Sequence, residues 1–136
     1  MSKTVMAQGT FDVLHPGHIH YLEESAQLGD ELVVVIARDS RVKDRKNLAF
    51  NEKERRKIVE SLEAVDTALL GSEKDIYTTV EKVSPDIITL GHDQDHSIDE
   101  VKEMAENALQ REIRVTRIDT GTEHYSSDIK ANQQEK

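Results

Sequence analysis

Two histidines three residues apart, His15 and His18, enclose a proline and a glycine in the segment His15-Pro16-Gly17-His18. A neutral imidazole can donate a hydrogen bond to an anionic oxygen. Residues three apart on a helical turn share a face, so both rings would meet the same ligand. Pro16 suits a first helical turn, and the free backbone N–H groups of such a turn favour an anion such as phosphate. Gly9 and Gly17 let backbone and phosphate approach closely. Together these features suit stabilisation of the negative charge that builds up during phosphoryl-type transfer. The same spacing also fits surface or capping histidines, or half of a metal site. No further Cys, His or carboxylate set with zinc spacing accompanies it.

A second chemical feature is electrostatic. The formal net charge is −9, yet Arg38, Arg41, Lys43, Arg45, Lys46, Lys53, Arg55, Arg56 and Lys57 crowd into one stretch. An acidic chain that gathers half of its 18 basic residues there is suited to a small anion. The overall charge argues against double-stranded nucleic acid as a partner. Arg56 and Lys57 read as a solvated helix face, and Lys43 to Lys46 as either an anion-holding or an ordinary charged loop.

These residues need a scaffold, and five short apolar runs supply it: Thr4–Ala7, Leu32–Ala37, Val65–Leu70, Ile87–Leu90 and Ile113–Ile118. The second is continuous and β-branched, which predicts a strand buried on both faces of a parallel sheet. The fifth alternates, which predicts an edge strand. Between them, Pro16–Leu28, Asn51–Leu62, Asp75–Val83 and Ile98–Leu109 carry helical apolar spacing, with Gly29 as a stop after the first. Asn51 and Glu54 are placed to cap the second helix. Pro85 marks a break before the fourth strand. A short last helix is expected from Ser126 or Ser127, with a polar tail from about residue 131. The strict alternation predicts one doubly wound α/β domain over residues 1–136, with a five-stranded parallel sheet. Its ligands should bind beyond the carboxyl ends of the strands, at the switch point. The His15–His18 segment follows the first strand and falls there.

The 136 residues suit one domain. Aromatics make up only 4%, so the core must be aliphatic. The absence of cysteine excludes disulfides and thiolate metal sites. The first residues lack the apolar region of a signal peptide, and no run approaches the ~20 residues of a membrane span. A cytoplasmic protein with no membrane partner is therefore expected.

The segment from Gly9 to Asp30 resembles the cytidylyltransferase-like nucleotidyltransferases, whose mark is a His-x-Gly-His motif just after the first strand. The resemblance continues along the chain. Glu54-Arg55-Arg56 followed by Val65-Asp66 is similar to the family's second phosphate-binding helix. Leu90-Gly91-His92-Asp93-Gln94 is similar to the loop that contacts the nucleoside, and Tyr125-Ser126-Ser127 to a serine/threonine helix start that touches triphosphate. The resemblance implies a Rossmann-like fold and a role at each matching position. His15 and His18 would stabilise the pentavalent α-phosphate, with Thr10, Phe11, Pro16 and Gly17 around the same phosphates. Arg55 and Lys43 or Lys46 would hold the triphosphate and the leaving pyrophosphate. Asp93 would contact base or ribose, and Ser126 and Ser127 would cap the phosphate site. A divalent cation, expected to be Mg²⁺, would travel with the nucleotide, with Asp12 near it through water and no metal site built by the protein. A homodimer is also implied.

Within that family the segments Arg38–Lys43, Gly91–Gln94 and Tyr125–Ser127 are most similar to archaeal FAD synthases, which transfer AMP from ATP to FMN. The glycerol-phosphate cytidylyltransferases usually carry an arginine–threonine–x–glycine signature before their serines and an aspartate–tryptophan pair after the fourth strand. This chain keeps the serines but has Asp93-Gln94 and lacks that signature. The expected substrates are therefore ATP and FMN. The alternatives are CTP or ATP with glycerol 3-phosphate or a lipopolysaccharide-core heptose phosphate, or an idle nucleotide-binding module.

Overall fold

A computed structural model describes residues 2–42, 45–73, 75–91 and 96–118. Within them, five strands alternate with four helices. In chain order these are β1 (Thr4–Gly9), α1 (Pro16–Ala26), β2 (Glu31–Ile36), α2 (Glu52–Glu60), β3 (Thr67–Leu70), α3 (Ile76–Val83), β4 (Ile87–Gly91), α4 (Ile98–Leu109) and β5 (Arg114–Ile118). All strand pairs are parallel and the sheet order is β3-β2-β1-β4-β5, with β1 at the centre. The doubly wound sheet expected from the alternation is present, and β5 lies at an edge.

Period-two alternation divides the core. Val5, Ala7, Leu32, Val34 and Ile36 face α1 and α2, where they meet Tyr21, Leu22 and Val59. Met6, Val35 and Ile88 face α3 and α4, where they meet Val80 and Ala105. Each helix begins on a side-chain acceptor that takes up an otherwise unbonded N–H. Asn51 and Glu54 form a reciprocal capping box at 2.8 and 2.9 Å. Ser97 with Glu100 repeats it at α4, and Asp75 caps α3. No described helix is long and apolar enough to cross a membrane.

Three details depart from the expectation. The first helix ends at Ala26, and Gly29 is not its left-handed stop, since no described glycine has a positive φ. Gly29 instead lies against β1, where a Cβ would sit 2.7 Å from Val5 and 2.8 Å from the Lys3 carbonyl. The third strand begins at Thr67. Asp66 lies before it, its carboxylate accepting the Leu32 N–H at 2.7 Å. Asp66 thus closes the amino end of β2, at the opposite end of the sheet from His15. Finally, the charged loop after β2 forms two short 3₁₀ turns, Asp39–Arg41 and Arg45–Asn47.

β1 and β4 part company at the switch point. Their ladder pairs only Val5 with Ile87 and Met6 with Ile88. Beyond it, side chains take over. The Gln8 amide Nε2 donates to the Thr89 carbonyl at 2.7 Å, and the Tyr21 hydroxyl donates to the same oxygen at 2.8 Å. The Gln8 backbone N–H donates to the Tyr21 oxygen at 3.4 Å, and the buried Ser25 and Thr89 hydroxyls bond at 2.8 Å. Two diverging strands are thereby joined through a residue of α1.

Candidate active site

β1 ends at Gly9, and the chain turns sharply through Thr10 and Phe11. Phe11 has φ 51°, a left-handed conformation that costs a bulky residue energy and needs its surroundings to hold it. Its buried ring folds back over Gly9, where a Cβ would sit 2.8 Å from the ring. A side chain at position 9 would have to displace that ring. The Phe11 ring stacks on Tyr21, with centroids 6.4 Å apart, and meets the His18 ring edge-on at 5.5 Å.

His15 is the N-cap of α1. Its Nδ1 accepts the Gly17 N–H at 3.0 Å, so the neutral ring carries its hydrogen on Nε2, which is a donor. The His15 and His18 rings stack, centroids 3.8 Å apart and 28° from coplanar. The expected shared face is present. His15 is exposed, His18 is half-buried and Gly17 is buried. Pro16 occupies the first turn. The two imidazoles therefore stand at the positive end of α1, over the turn that leaves the central strand.

Asp12 secures the outer side of this turn. Its carboxylate accepts the Ala49 N–H at 2.9 Å and the Phe50 N–H at 3.0 Å. The Ala49 donor, the largest influence, outweighs the opposing desolvation and, helped by the Phe50 donor and the Arg55 charge, holds the Asp12 carboxyl below its ordinary value. Asp12 is thereby engaged by the segment leading into α2. Among the described residues, no three His, Asp or Glu side chains converge as a metal site.

Arg55 is fully buried, although it lies in a run of charged residues. Its Nη1 donates to the Thr10 carbonyl at 2.8 Å, its Nε to the Phe50 carbonyl at 3.2 Å and its Nη2 to Asp39 at 2.6 Å. It is not a solvated residue; its three donors tie the β1 turn to α2. The lock continues outward. The Asp39 N–H donates to Glu52, and Arg38 bridges Glu52 and the Gly71 carbonyl. The carboxyl ends of β1, β2 and β3 and the start of α2 thus form one braced unit.

Lys46 is exposed, in the second 3₁₀ turn. Lys43, Asp93, Ser126 and Ser127 lie outside the described residues. On the other face of the sheet, a cavity of about 660 Å³ runs from Gly9 and Thr10 to α3 and α4. Sequence reasoning passed over this cavity and the Tyr21–Gln8–Thr89 junction. Both arise where strands diverge, which local periodicity does not record.

The chain matches the cytidylyltransferase-like family over residues 6–133. It is 52% identical over 104 residues to a protein named FAD synthase from Natrialba magadii, covering 76% of this chain and 70% of that one. A second FAD synthase, from Picrophilus torridus, is 47% identical over 129 residues, covering 93% and 92%. Among solved structures, a lipopolysaccharide core biosynthesis protein from Thermoplasma volcanium superposes with a TM-score of 0.80 at 47% identity, over 87% of this chain and 97% of that one. A pantothenate synthetase from Thermus thermophilus, at 14% identity and a TM-score of 0.54, shares the fold. With the His15–His18 turn at the switch point of a parallel sheet and a family match spanning nearly its whole length, this chain belongs to the cytidylyltransferase-like nucleotidyltransferases.

Proposed function

We propose that the protein is an FAD synthase, an FMN adenylyltransferase that joins AMP from ATP to FMN and releases pyrophosphate. The observation that carries this reading is the near-full-length match, 47% identical over 92% of the Picrophilus torridus relative, which is named FAD synthase. The stacked imidazoles over the α1 N-terminus supply the chemistry. An FMN phosphate oxygen attacks the α-phosphorus of ATP, a new P–O bond forms, and the bond to the β-phosphate bridging oxygen breaks. The acceptor phosphate is already ionised near neutrality, so no strong general base is required. What remains is positioning and charge stabilisation.

In this account the Nε2–H of His15 and the His18 ring donate toward the oxygens of the five-coordinate phosphorus. The N-terminal amides of α1 add their dipole. Gly9, Thr10 and Phe11 shape the turn, and Arg55 positions it by holding the Thr10 carbonyl. Lys43, Lys46, Asp93, Ser126 and Ser127 are proposed to close around the triphosphate and nucleoside. A divalent cation, Mg²⁺ in the first instance, would enter with the nucleotide and would supply neutralisation of phosphate charge.

The Thermoplasma volcanium structure favours a second reading, in which the acceptor is a lipopolysaccharide-core sugar phosphate. One screen separates them. The protein is incubated with ATP or CTP and Mg²⁺, and with FMN, glycerol 3-phosphate or a heptose phosphate. FAD and pyrophosphate from ATP and FMN alone are expected. Turnover of a sugar or glycerol phosphate with none of FMN would establish the second reading.

A further inference from the structure

The turn after β1 and the segment before α2 are distant in sequence, yet they are tied from both sides. From the turn, the Asp12 Oδ1 accepts the Ala49 N–H at 3.1 Å and the Phe50 N–H at 3.0 Å, and Oδ2 accepts the Ala49 N–H at 2.9 Å. From α2, Arg55 donates to the Thr10 and Phe50 carbonyls. The two ties differ in setting. Arg55 is fully buried, whereas the Asp12 bonds lie at the surface. There water competes for the same N–H groups, so such bonds add little to the stability of a core. A carboxylate accepting backbone N–H groups is nonetheless a strong, directional tie. Its consequence falls on the residues that it holds in place.

Those residues are the cations before α2 and the two imidazoles. Lys46 is exposed in the 3₁₀ turn Arg45–Asn47, three residues before Ala49. His15 stands three residues after Asp12. Three residues span at most about 11 Å of extended chain. Lys46 and His15 therefore both hang, on short tethers, from the junction that Asp12 makes. The chain leaving β2 is already pinned at Asp39 by Glu52 and Arg55. Asp12 supplies the pin on the far side of Lys46.

We infer that Asp12 is a positioning residue: through the Ala49 and Phe50 N–H groups it sets Lys46 against the His15–His18 turn, so that both act on one triphosphate. The inference rests on the nucleotidyl-transfer reading above, in which Lys46 closes on the triphosphate. Both oxygens of Asp12 are engaged by backbone N–H groups, which assigns the residue to the segment before α2 and not to the cation. Charge has to be met at the reacting phosphorus and at the leaving pyrophosphate together. A displacement of about 1 Å between groups that act together can cost about 10²-fold in rate.

Two substitutions separate geometry from charge. Asp12→Asn removes the charge but keeps an oxygen at the Oδ1 position, which by itself accepts both N–H groups. Asp12→Glu keeps the charge but moves the carboxylate out by one methylene. A partner of the cation would tolerate glutamate better than asparagine, and a positioning residue reverses that order. FAD formation from ATP and FMN is measured at a temperature where circular dichroism shows each variant folded. Asp12→Asn should stay within about threefold of the wild-type kcat with the same Mg²⁺ dependence, while Asp12→Glu and Asp12→Ala fall about 10–100-fold. In a chain that carries Lys46→Ala, Asp12→Ala should cost less than about threefold further, because the tie has nothing left to position. Asp12→Glu takes the place of Asp12→Ala in that comparison if the alanine variant does not fold. Glutamate outperforming asparagine, or full additivity with Lys46→Ala, would overturn the inference. If the wild-type chain makes no FAD, the functional reading falls, and the affinity for MgATP by calorimetry decides. Weaker binding by Asp12→Ala, restored by Asp12→Asn and absent beside Lys46→Ala, upholds the positioning role. Equal affinities, or no binding of MgATP, refute it.

Discussion

His15 has two tasks, and they can be separated. Its Nδ1 caps α1 through the Gly17 N–H, while the opposite edge of the ring presents the Nε2 donor. Asparagine is a good N-cap but lacks the second donor at that reach. His15→Asn should therefore keep its thermal midpoint near wild type while kcat falls about 10²–10³-fold, as for loss of an oxyanion donor. His18→Ala should lose kcat on the same scale while still binding ATP. Near-normal turnover in both variants would remove the pair from the chemistry. Arg55 presents the reverse case. Arg55→Ala leaves the Thr10 and Phe50 carbonyls and Asp39 without their donor, so it should cost about 2–3 kcal/mol in chemical denaturation. Simple loss of a phosphate anchor would leave stability unchanged and raise only the nucleotide KM. The spacing of the histidine pair put both rings on one face, but their role came from the resemblance to the family and not from spacing. The burial of Arg55 was masked by the charge around it, although Arg55 stands four residues before Val59 and seven before Leu62, a spacing that marks an inward helix face.

At the level of elements, apolar runs located the five described strands and four α-helices, because each has a local period, although the stop expected for the first helix and the start expected for the third strand were both displaced. They did not reveal how β1 and β4 separate, since that depends on three segments meeting. Tyr21 fills the gap, and its ring also supports Phe11, which touches His18. Tyr21→Phe keeps the ring but leaves Thr89 one donor short. It should lower stability by about 1 kcal/mol and lower kcat more than it raises either KM, because α1 loses its anchor to the sheet. An unchanged thermal midpoint and rate would show that the junction positions nothing. Gly9→Ala should be more severe. Its Cβ would displace the Phe11 ring, costing about 1–3 kcal/mol by overpacking and disordering the histidine turn. A variant with wild-type stability and rate would show that the ring can move without consequence.

For the molecule as a whole, the carboxylates set the response to acid. Asp12 is held below its ordinary value first by the Ala49 N–H, Glu60 by the Ala68 N–H, Asp75 by the Thr78 N–H, and Glu106 by Lys102. A carboxyl depressed on folding contributes stability that is complete above its unfolded pKa and is lost as pH falls through the folded one. Stability should therefore be level near neutrality and fall below about pH 4. Asp75→Asn, which retains a capping oxygen, should show a shallower fall in urea melts over that range. An identical slope would mean that Asp75 does not contribute.

The doubly wound architecture followed from the alternation of elements, but the filling of its two faces did not. The cavity beside α3 and α4 is a three-dimensional property of several segments together. The central claim is that this architecture brings FMN and ATP together for nucleotidyl transfer. It is tested most directly by incubating the protein with FMN and ATP labelled at the α-phosphate. The account predicts that the label appears in FAD while unlabelled pyrophosphate is released. Label confined to ATP, or found in ADP or in free AMP without FAD, would contradict it.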